Sequence, residues 1–300
     1  MPIKAKPSVV VIGPGRLGQA LAIALNRASY PILAFAGRDL KHAKQAALRL
    51  NQGAKKSPRV EAFGIADLAK LPAFKLAIIS TPDDAIAETA LRLRSIGRTR
   101  NATVLHTSGA LSSEVLAPLA ELGFHTGSMH PLVSVSEPDA GAKTLRGAFF
   151  CVEGDASAVR IARKVVGDLD STAFSIKTEH KALYHAAAVV ASPHLVALFD
   201  IAVEMLSASG LSRSRAIEVL LPLAESTVRN LRVSNPENAL TGTFARGDVA
   251  TVRKHLAALS KKELADALAA YKLLGLRSIE IAQKNKLDPE LLKRIRKLLK

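Results

Sequence analysis

VVVIGPGRLG, residues 9–18, is the stretch of sequence that decides how the first half of this chain folds. Its four consecutive apolar residues, Val9–Ile12, are typical of a β-strand that is buried on both faces. A glycine-rich turn follows at once, and residues 16–28 then have the apolar periodicity of a helix. A strand, a Gly-x-Gly-x-x-Gly turn and a helix in this order predict a loop that binds the pyrophosphate of a dinucleotide.

Each glycine of the turn has a separate task in such a loop. Gly13 permits the tight turn, Gly15 lets the backbone approach a phosphate, and Gly18 lets the helix pack closely on the strand. The start of the helix adds unpaired N–H groups and a positive dipole end. An ordinary strand-to-helix turn that needs glycine is the alternative. We predict that the cofactor is held by Gly13, Pro14, Gly15, Arg16, Leu17 and Gly18.

The pattern of strands and helices predicts the fold class and two domains. Strands are predicted at residues 9–12, 32–36, 60–63, 76–79, 103–106, 124–128, 148–152 and 172–176, with helices between them. This alternation predicts an α/β Rossmann domain with a doubly wound parallel sheet, residues 1–177. Ala- and Leu-rich helices are predicted at residues 179–208, 212–231, 248–258, 260–284 and 288–299. Residues 178–300 are therefore predicted to be an all-helical domain for dimerisation and substrate binding, because its helices are apolar on more than one face.

The end of the second predicted strand indicates which dinucleotide binds. NAD sites usually place an acidic side chain here to accept from the ribose 2′-OH. Arg38 occupies this position, and its guanidinium can bind a 2′-phosphate through two hydrogen bonds. Asp39 either caps the next helix or accepts from the ribose, and Arg38 has a second interpretation as a solvated surface residue. We predict NADP (NADPH) as the cofactor and consider NAD less favoured.

Three polar clusters follow predicted strands, at the edge where open α/β sheets bind ligands. They are STPD at residues 80–83, HTSG at residues 106–109 and SMHP at residues 128–131. Thr81, Pro82 and Ser108 are predicted to contact the cofactor, and Ser108 also to contact the substrate. His130 is predicted to deliver a proton, since an imidazole pKa near ~6.5 suits that role. The alternatives are that Thr81 caps a helix, that Ser108 forms a turn and that His130 lies in a surface loop.

The first helix of the second half adds two further candidates. Lys181 and His185 share one helix face with Ser192 by i+4 and i+7 spacing. A donor on this face could protonate the heteroatom of a substrate as hydride reaches its carbon. Lys181 and His185 are therefore predicted to be catalytic together with Ser108 and His130, although His185 could instead be an interface residue between domains. No metal site is predicted, because the eight histidines are scattered.

Composition and charge exclude several classes of protein. The chain is 48% hydrophobic and 23% charged, which is typical of globular proteins, and its single cysteine excludes a disulfide framework. The longest apolar runs are shorter than the ~18 residues of a membrane span, and residues 1–8 contain two lysines and two prolines. We therefore expect a cytoplasmic protein without a membrane partner.

The net charge of +16 has two possible meanings, a nucleic-acid partner or a general excess of basic residues. Residues 1–177 contain 23 basic and 14 acidic side chains, and the rest contains 19 and 12. Because the excess is spread evenly and tryptophan is missing, no nucleic-acid partner is predicted. The basic C-terminal helix, LLKRIRKLLK, is interpreted as a terminal helix docked by its leucines, with binding to a membrane or an acidic partner as the alternative.

Six stretches of the chain together carry a resemblance to a known family: VIGPGRLGQALA (11–22), AIISTPDDAI (77–86), VLHTSGALSSEVL (104–116), SMHPLVSV (128–135), YHAAAVVASPHLVAL (184–198) and LTGTFARGDVATVRKHL (240–256). With these stretches the chain resembles a bacterial family of Rossmann-like oxidoreductases whose helical C-terminal domain is of unknown function. That family is related to pyrroline-5-carboxylate reductase, deazaflavin-dependent NADP oxidoreductase and 6-phosphogluconate dehydrogenase-type C-terminal domains. The resemblance implies nicotinamide binding and a homodimer formed through the helical domain, but no particular substrate.

Transferred to this chain, the family's Ser-Gly, His-Pro and Tyr-His motifs are Ser108-Gly109, His130-Pro131 and Tyr184-His185. Pro193 departs from the pattern, because related dehydrogenases have an asparagine here that contacts substrate. Either that contact is missing or Ser192 or His194 replaces it. The expected function is NADP-dependent hydride transfer between nicotinamide and a small oxo, imino or hydroxy compound. The alternative, which Pro193 favours, is a non-catalytic NADP(H)-binding sensor or scaffold protein.

Overall fold

The computed structural model describes residues 6–52, 59–96 and 101–300. The chain forms two compact units, Met1–Val189 and Val190–Lys300. The division lies inside the helix Lys181–Ala191, beyond the boundary predicted at residue 177, because Lys181 and Tyr184 hydrogen-bond to the strands of the first unit. Residues 1–5, which contributed to the expectation of a cytoplasmic protein, lie outside the described residues.

Eight strands of the described residues form a single sheet in the first unit, in the order β3-β2-β1-β4-β5-β6-β7-β8. Neighbouring strands are parallel except β6 and β7, which are antiparallel. The predicted Rossmann sheet is confirmed, and the reversal at β7 is the feature that the sequence analysis missed. The strands are β1 (Val9–Ile12), β2 (Ile32–Gly37), β3 (Glu61–Gly64), β4 (Leu76–Ile79), β5 (Thr103–His106), β6 (His125–Pro131), β7 (Phe149–Gly154) and β8 (Thr172–Phe174).

Helices cover both faces of this sheet, which explains the unbroken apolar sequence of β1. Val9 and Val11 pack in the core on the side of the first helix, and Val10 and Ile12 pack in the core on the opposite side. The helices of this unit are α1 (Arg16–Arg27), α2 (Leu40–Gln52), α3 (Asp83–Leu93), α4 (Ala117–Ala120), α5 (Pro138–Thr144), α6 (Ala156–Asp168) and α7 (Lys181–Ala191). The strand order reverses between β1 and β4, and ligands bind at the carboxyl ends of strands at such a point.

The second unit is helical. The long helix predicted at residues 179–208 is two helices, because Pro193 begins a new one and Ser192 has the non-helical angles φ −126° and ψ −77°. The helices are α8 (Pro193–Ser207), α9 (Arg213–Val233), α10 (Pro236–Ala239), α11 (Gly242–Ala245), α12 (Val249–Ala258), α13 (Ala265–Lys284) and α14 (Pro289–Leu299). The docked terminal helix is confirmed, since Leu292, Ile295 and Leu299 of α14 are buried in the core of this unit.

One stretch of the described chain, Thr178–Ser207, is long and apolar enough to cross a membrane by length and composition, and an 18-residue window within it has a mean hydropathy of 1.9. It is interrupted at Ser192, and its first turns contact the sheet through Lys181 and Tyr184. Length and composition alone are weak evidence for a membrane span.

Candidate active site

The turn between β1 and α1 is packed tightly against the end of β4. Gly13 has φ +101°, and a Cβ atom on it would lie 2.6 Å from the backbone of Ser80. The hydroxyl of Ser80 donates to the Gly13 carbonyl at 2.7 Å. A Cβ atom on Gly18 would also collide with that carbonyl oxygen. These contacts agree with the predicted roles of the two glycines: Gly13 permits the tight turn, and Gly18 lets α1 pack closely on the strand.

Gly15 is different, because the space beside it is open. It precedes the first turn of α1 in an extended conformation, and no atom lies within 4 Å of the position a Cβ would take. No side chain caps the helix, so the N–H groups of its first turn can reach an anion. This geometry fits a pyrophosphate, which must approach the backbone closely.

A cavity of about 370 Å³ extends from this loop. One of its lining residues, Thr81, has a buried hydroxyl oxygen that forms no hydrogen bond with any residue the structure describes. An unpaired buried hydroxyl is costly, so this atom suits a ligand with a polar group. Pro82 lies at the N-cap of α3, so the alternative that Thr81 caps this helix is wrong. The cavity is also lined by Pro14, Arg38, Asp39, His42, Glu88 and Arg92.

Arg38 and Asp39, at the end of β2, have different surroundings. The carboxylate of Asp39 accepts from the Lys41 backbone N–H at 2.8 Å, so Asp39 caps α2, which was one of its two predicted roles. Arg38 is exposed, lines the cavity and forms no ion pair with any residue that the structure describes. His42 and Arg92, which the sequence analysis did not consider, line the same region.

A second polar cluster is built by the antiparallel pair β6 and β7. Ser128 lies opposite Glu153, and His130 lies opposite Cys151. Directly paired residues of antiparallel strands point to the same face, so these four side chains share one face of the sheet. The apolar residues between them point to the other face and join its core. The period-two alternation of polar and apolar residues in both segments was the signal for this face.

Lys181 of α7 is anchored in this cluster. Its side chain is only 1% exposed, and its Nζ donates to Ser128 Oγ at 2.6 Å and to the Ser108 carbonyl at 3.4 Å. Nζ also lies 3.5 Å from the buried carboxylate of Glu153. Burial lowers the pKa of Lys181, and the carboxylate opposes that shift. This enclosed position favours a role in holding α7 on the sheet, and the catalytic role of Lys181 stays a prediction.

His130 and His185 meet above Gly109. Their ring centroids are 5.7 Å apart. A Cβ atom on Gly109 would lie 2.5 Å from His185 Nδ1 and 2.8 Å from His130 Cε1, so a larger residue would displace both rings. The Nδ1 atom of His185 is buried and has no hydrogen-bond partner among the described residues. The structure therefore brings together two of the predicted catalytic residues.

The charge state of His130 differs from the expectation. Burial first, and then the nearby His185 and Lys181, lower the pKa of His130 from 6.5 to about 4. The imidazole is therefore neutral at pH 7. The expectation of an ordinary pKa near ~6.5 is wrong, because that value requires solvation of the charged ring. A neutral ring acts as a hydrogen-bond donor instead of carrying a full positive charge.

Ser108 forms a turn, which was one of its two interpretations. Its hydroxyl donates to Asp83 Oδ2 at 2.8 Å and accepts from the backbone N–H groups of Ala110 and Leu111 at 3.2 and 3.0 Å. These bonds tie the turn after β5 to the start of α3 and place Gly109 below the imidazoles. The predicted contacts of Ser108 with cofactor and substrate stay predictions.

His106 is expected to make the protein sensitive to acid. It is 0% exposed, its Nδ1 accepts from Ser108 N–H at 3.2 Å, and burial lowers its pKa from 6.5 to about 4. Above pH ~6.5 the neutral side chain of His106 makes its full contribution to the free energy of unfolding. As the pH falls toward 4, this free energy decreases by roughly 3 kcal/mol. Urea unfolding at pH 7, 5 and 4 measures this loss. His106→Gln, which can keep a donor and an acceptor but does not titrate, should reduce it; equal loss in both proteins would contradict the assignment.

In the ranges the structure describes, no group of three or more His, Cys, Asp or Glu side chains is arranged to hold a metal ion.

Two family models match the chain. The description Rossmann-like domain applies to residues 3–131, and Domain of unknown function (DUF2520) applies to residues 148–278. The resemblance to Rossmann-like proteins with a helical C-terminal domain of unknown function is therefore confirmed. A search of the curated proteins finds no match.

Solved structures are similar over most of the chain. A Bacteroides fragilis protein assigned as an NADP oxidoreductase is 24% identical with a TM-score of 0.72, covering 92% of this chain and 99% of that one. A reductive aminase from Aspergillus terreus, in complex with NADPH and ethyl levulinate, is 15% identical with a TM-score of 0.61, covering 93% and 98%. Plasmodium falciparum pyrroline carboxylate reductase with NADP bound is 11% identical with a TM-score of 0.55, covering 94% and 98%. At these identities the similarity establishes a shared fold.

Proposed function

We propose that this chain, a Rossmann-like domain joined to a helical domain of unknown function, is an NADP-dependent oxidoreductase that acts on a small oxo, imino or hydroxy compound. The observation that carries the proposal is the free space beside the backbone of Gly15, at the uncapped start of α1. This space belongs to a cavity of about 370 Å³ that Arg38 also lines. Similar solved structures, which include an NADP oxidoreductase, a reductive aminase in complex with NADPH and a reductase with NADP bound, support it.

The residues around the cavity fit the groups of NADP. The backbone at Gly15 and the first turn of α1 would hold the pyrophosphate. The unpaired hydroxyl of Thr81 would gain a hydrogen-bond partner, and Arg38 would bind the 2′-phosphate. Bound NADPH supplies the hydride of such a reaction.

The imidazoles supply polar contacts for the substrate. His130 is neutral at pH 7, so it can donate a hydrogen bond to the oxygen or nitrogen atom of a substrate. Gly109 allows both rings to close over the turn after β5, and Ser108 and Asp83 hold that turn in place. Lys181 fixes the helix that carries His185.

A substrate panel separates an enzyme from a non-catalytic sensor. NADPH binding is first established by titration, and NADPH oxidation is then followed with 2-oxo acids, aldehydes, ketones and cyclic imines. Turnover with one of these classes supports the oxidoreductase. Tight NADPH binding without turnover on the panel supports the sensor. The hydroxyl of Ser108 also favours the sensor, because it already donates one hydrogen bond and accepts two within the protein. No binding of NADPH contradicts both.

Arg38 is expected to make the protein prefer NADPH over NADH. A charge-assisted hydrogen bond to the 2′-phosphate contributes roughly 1.5–3 kcal/mol, or about tenfold to a hundredfold in affinity. Titration of both cofactors against the wild-type chain and Arg38→Ala measures the preference. Arg27→Ala, a surface arginine outside the cavity lining, is the control. Equal affinities for the two cofactors in the wild type would contradict the assignment.

The helical unit is expected to form a homodimer. Among the residues of α9 only Ala216 is buried, and several apolar side chains of this helix are exposed, such as Leu223 at 63% and Val233 at 80%. An apolar helix face of this kind marks an association surface. Light scattering should give about twice the chain mass of 31.8 kDa. Leu223→Glu should shift the mass toward the monomer, whereas Leu91→Glu, at an exposed leucine of α3, should not. A monomeric wild type at micromolar concentration would contradict this expectation.

A further inference from the structure

We infer that Tyr184 is the positioning residue of this site: it holds the neutral imidazole of His130 with its proton on Nε2, so that Nε2–H is the donor offered to a substrate. The part of this inference that concerns the substrate rests on the proposed function. The tautomer itself is a property of the protein alone and can be measured without a substrate.

The hydrogen bond between the two rings decides the tautomer. The phenol oxygen of Tyr184 lies 2.6 Å from His130 Nδ1, and the rings meet edge to face with centroids 5.6 Å apart. Burial raises the pKa of Tyr184, so its phenol keeps the proton at neutral pH. The imidazole nitrogen is a stronger acceptor than the neighbouring thiol of Cys151, so the phenol donates to Nδ1 and the ring proton of the neutral imidazole is on Nε2.

Three contacts keep Tyr184 in this position. Lys181, one helical turn earlier on α7, is anchored to Ser128 at 2.6 Å. The ring of Phe174 on β8 packs edge-on at 5.9 Å. The buried thiol of Cys151, which lies opposite His130 on the neighbouring strand, borders the phenol and is only a weak hydrogen-bond acceptor.

The opposite edge of the imidazole faces the turn after β5. A Cβ atom on Gly109 would lie 2.9 Å from His130 Nε2, so this nitrogen points to the space above that residue. His185, whose Nδ1 has no hydrogen-bond partner in the described part of the chain, borders the same space. The carboxylate of Asp83 accepts from the hydroxyl of Ser108. The hydrogen bond from Tyr184 to His130 therefore leaves Nε2–H as a donor at the candidate active site.

NMR of the ¹⁵N-labelled chain tests the tautomer directly. Long-range ¹H–¹⁵N spectra distinguish the two nitrogens of a neutral imidazole, and His130→Gln identifies the signals of His130. We expect the Nε2–H form in the wild type at neutral pH. Tyr184→Phe keeps the ring but removes the donor, and should shift His130 toward Nδ1–H. Tyr30→Phe, which removes the hydroxyl of a buried tyrosine bonded to Asp168, should leave His130 unchanged.

Two outcomes would overturn the inference. An Nδ1–H form of His130 in the wild type would do so without any variant, and so would an unchanged Nε2–H form in folded Tyr184→Phe. With an identified substrate, Tyr184→Phe should lower kcat about tenfold and leave the Kd of NADPH unchanged. A confirmed tautomer with no turnover on any substrate would count against the proposed function and leave the positioning role of Tyr184 intact.

Discussion

Replacing His130 with alanine is expected to lower turnover about 100- to 1,000-fold while the affinity for NADPH stays nearly unchanged. Removing one preorganised donor from an active site has an effect of this order, because the charge that develops on the substrate loses its hydrogen bond. His130 does not line the cofactor cavity, so binding should persist. Steady-state kinetics on the substrate found by the panel, together with NADPH titration, measures both quantities.

His125→Ala is the matched control, because His125 lies on the same strand and is paired at the surface with Asp155 at 3.6 Å. It should leave turnover unchanged. His185→Ala should also lower turnover, since His185 borders the space above Gly109. Wild-type turnover in both the His130 and the His185 variants would show that the reaction takes place elsewhere.

Lys181→Met is expected to lower the free energy of unfolding by about 3–5 kcal/mol. The substitution leaves the carboxylate of Glu153, which is 7% exposed, without its ammonium partner at 3.5 Å. An uncompensated buried charge has a cost of this order. Urea unfolding followed by circular dichroism measures the change.

The double variant Lys181→Met with Glu153→Gln should recover much of this loss, because no charge is then left unpaired. Lys164→Met is the control, since Lys164 pairs with Asp168 at 3.1 Å with half of its side chain exposed. Such surface pairs contribute about 0–1 kcal/mol. A loss at Lys181 no larger than the loss at Lys164 would show that the buried pair does not hold α7 in place.

The candidate active site could be predicted only in part. Ser108 and His130 were predicted because motifs at strand ends meet at one edge of a parallel sheet, and His185 was predicted from one face of the first helix of the second half. Glu153 was not assigned a role, because its position depends on the antiparallel pairing of β6 with β7. Tyr184 was not assigned one, because its contact with His130 forms only when α7 packs on the sheet. Asp83 and His106 acquire their partners only when the turn after β5 closes on α3.

Local patterns in the sequence were enough to predict the Rossmann fold, the glycine-rich turn after β1 and the change to an all-helical second half, because these depend on local periodicity and on glycines at fixed spacing. The tertiary structure alone decided that Asp39 caps α2, that Lys181 is enclosed and that His130 is neutral at pH 7. The reason is physical: burial and the charges of residues far apart in the chain set a pKa and a hydrogen-bond partner. Neither exists before the strands and α7 come together.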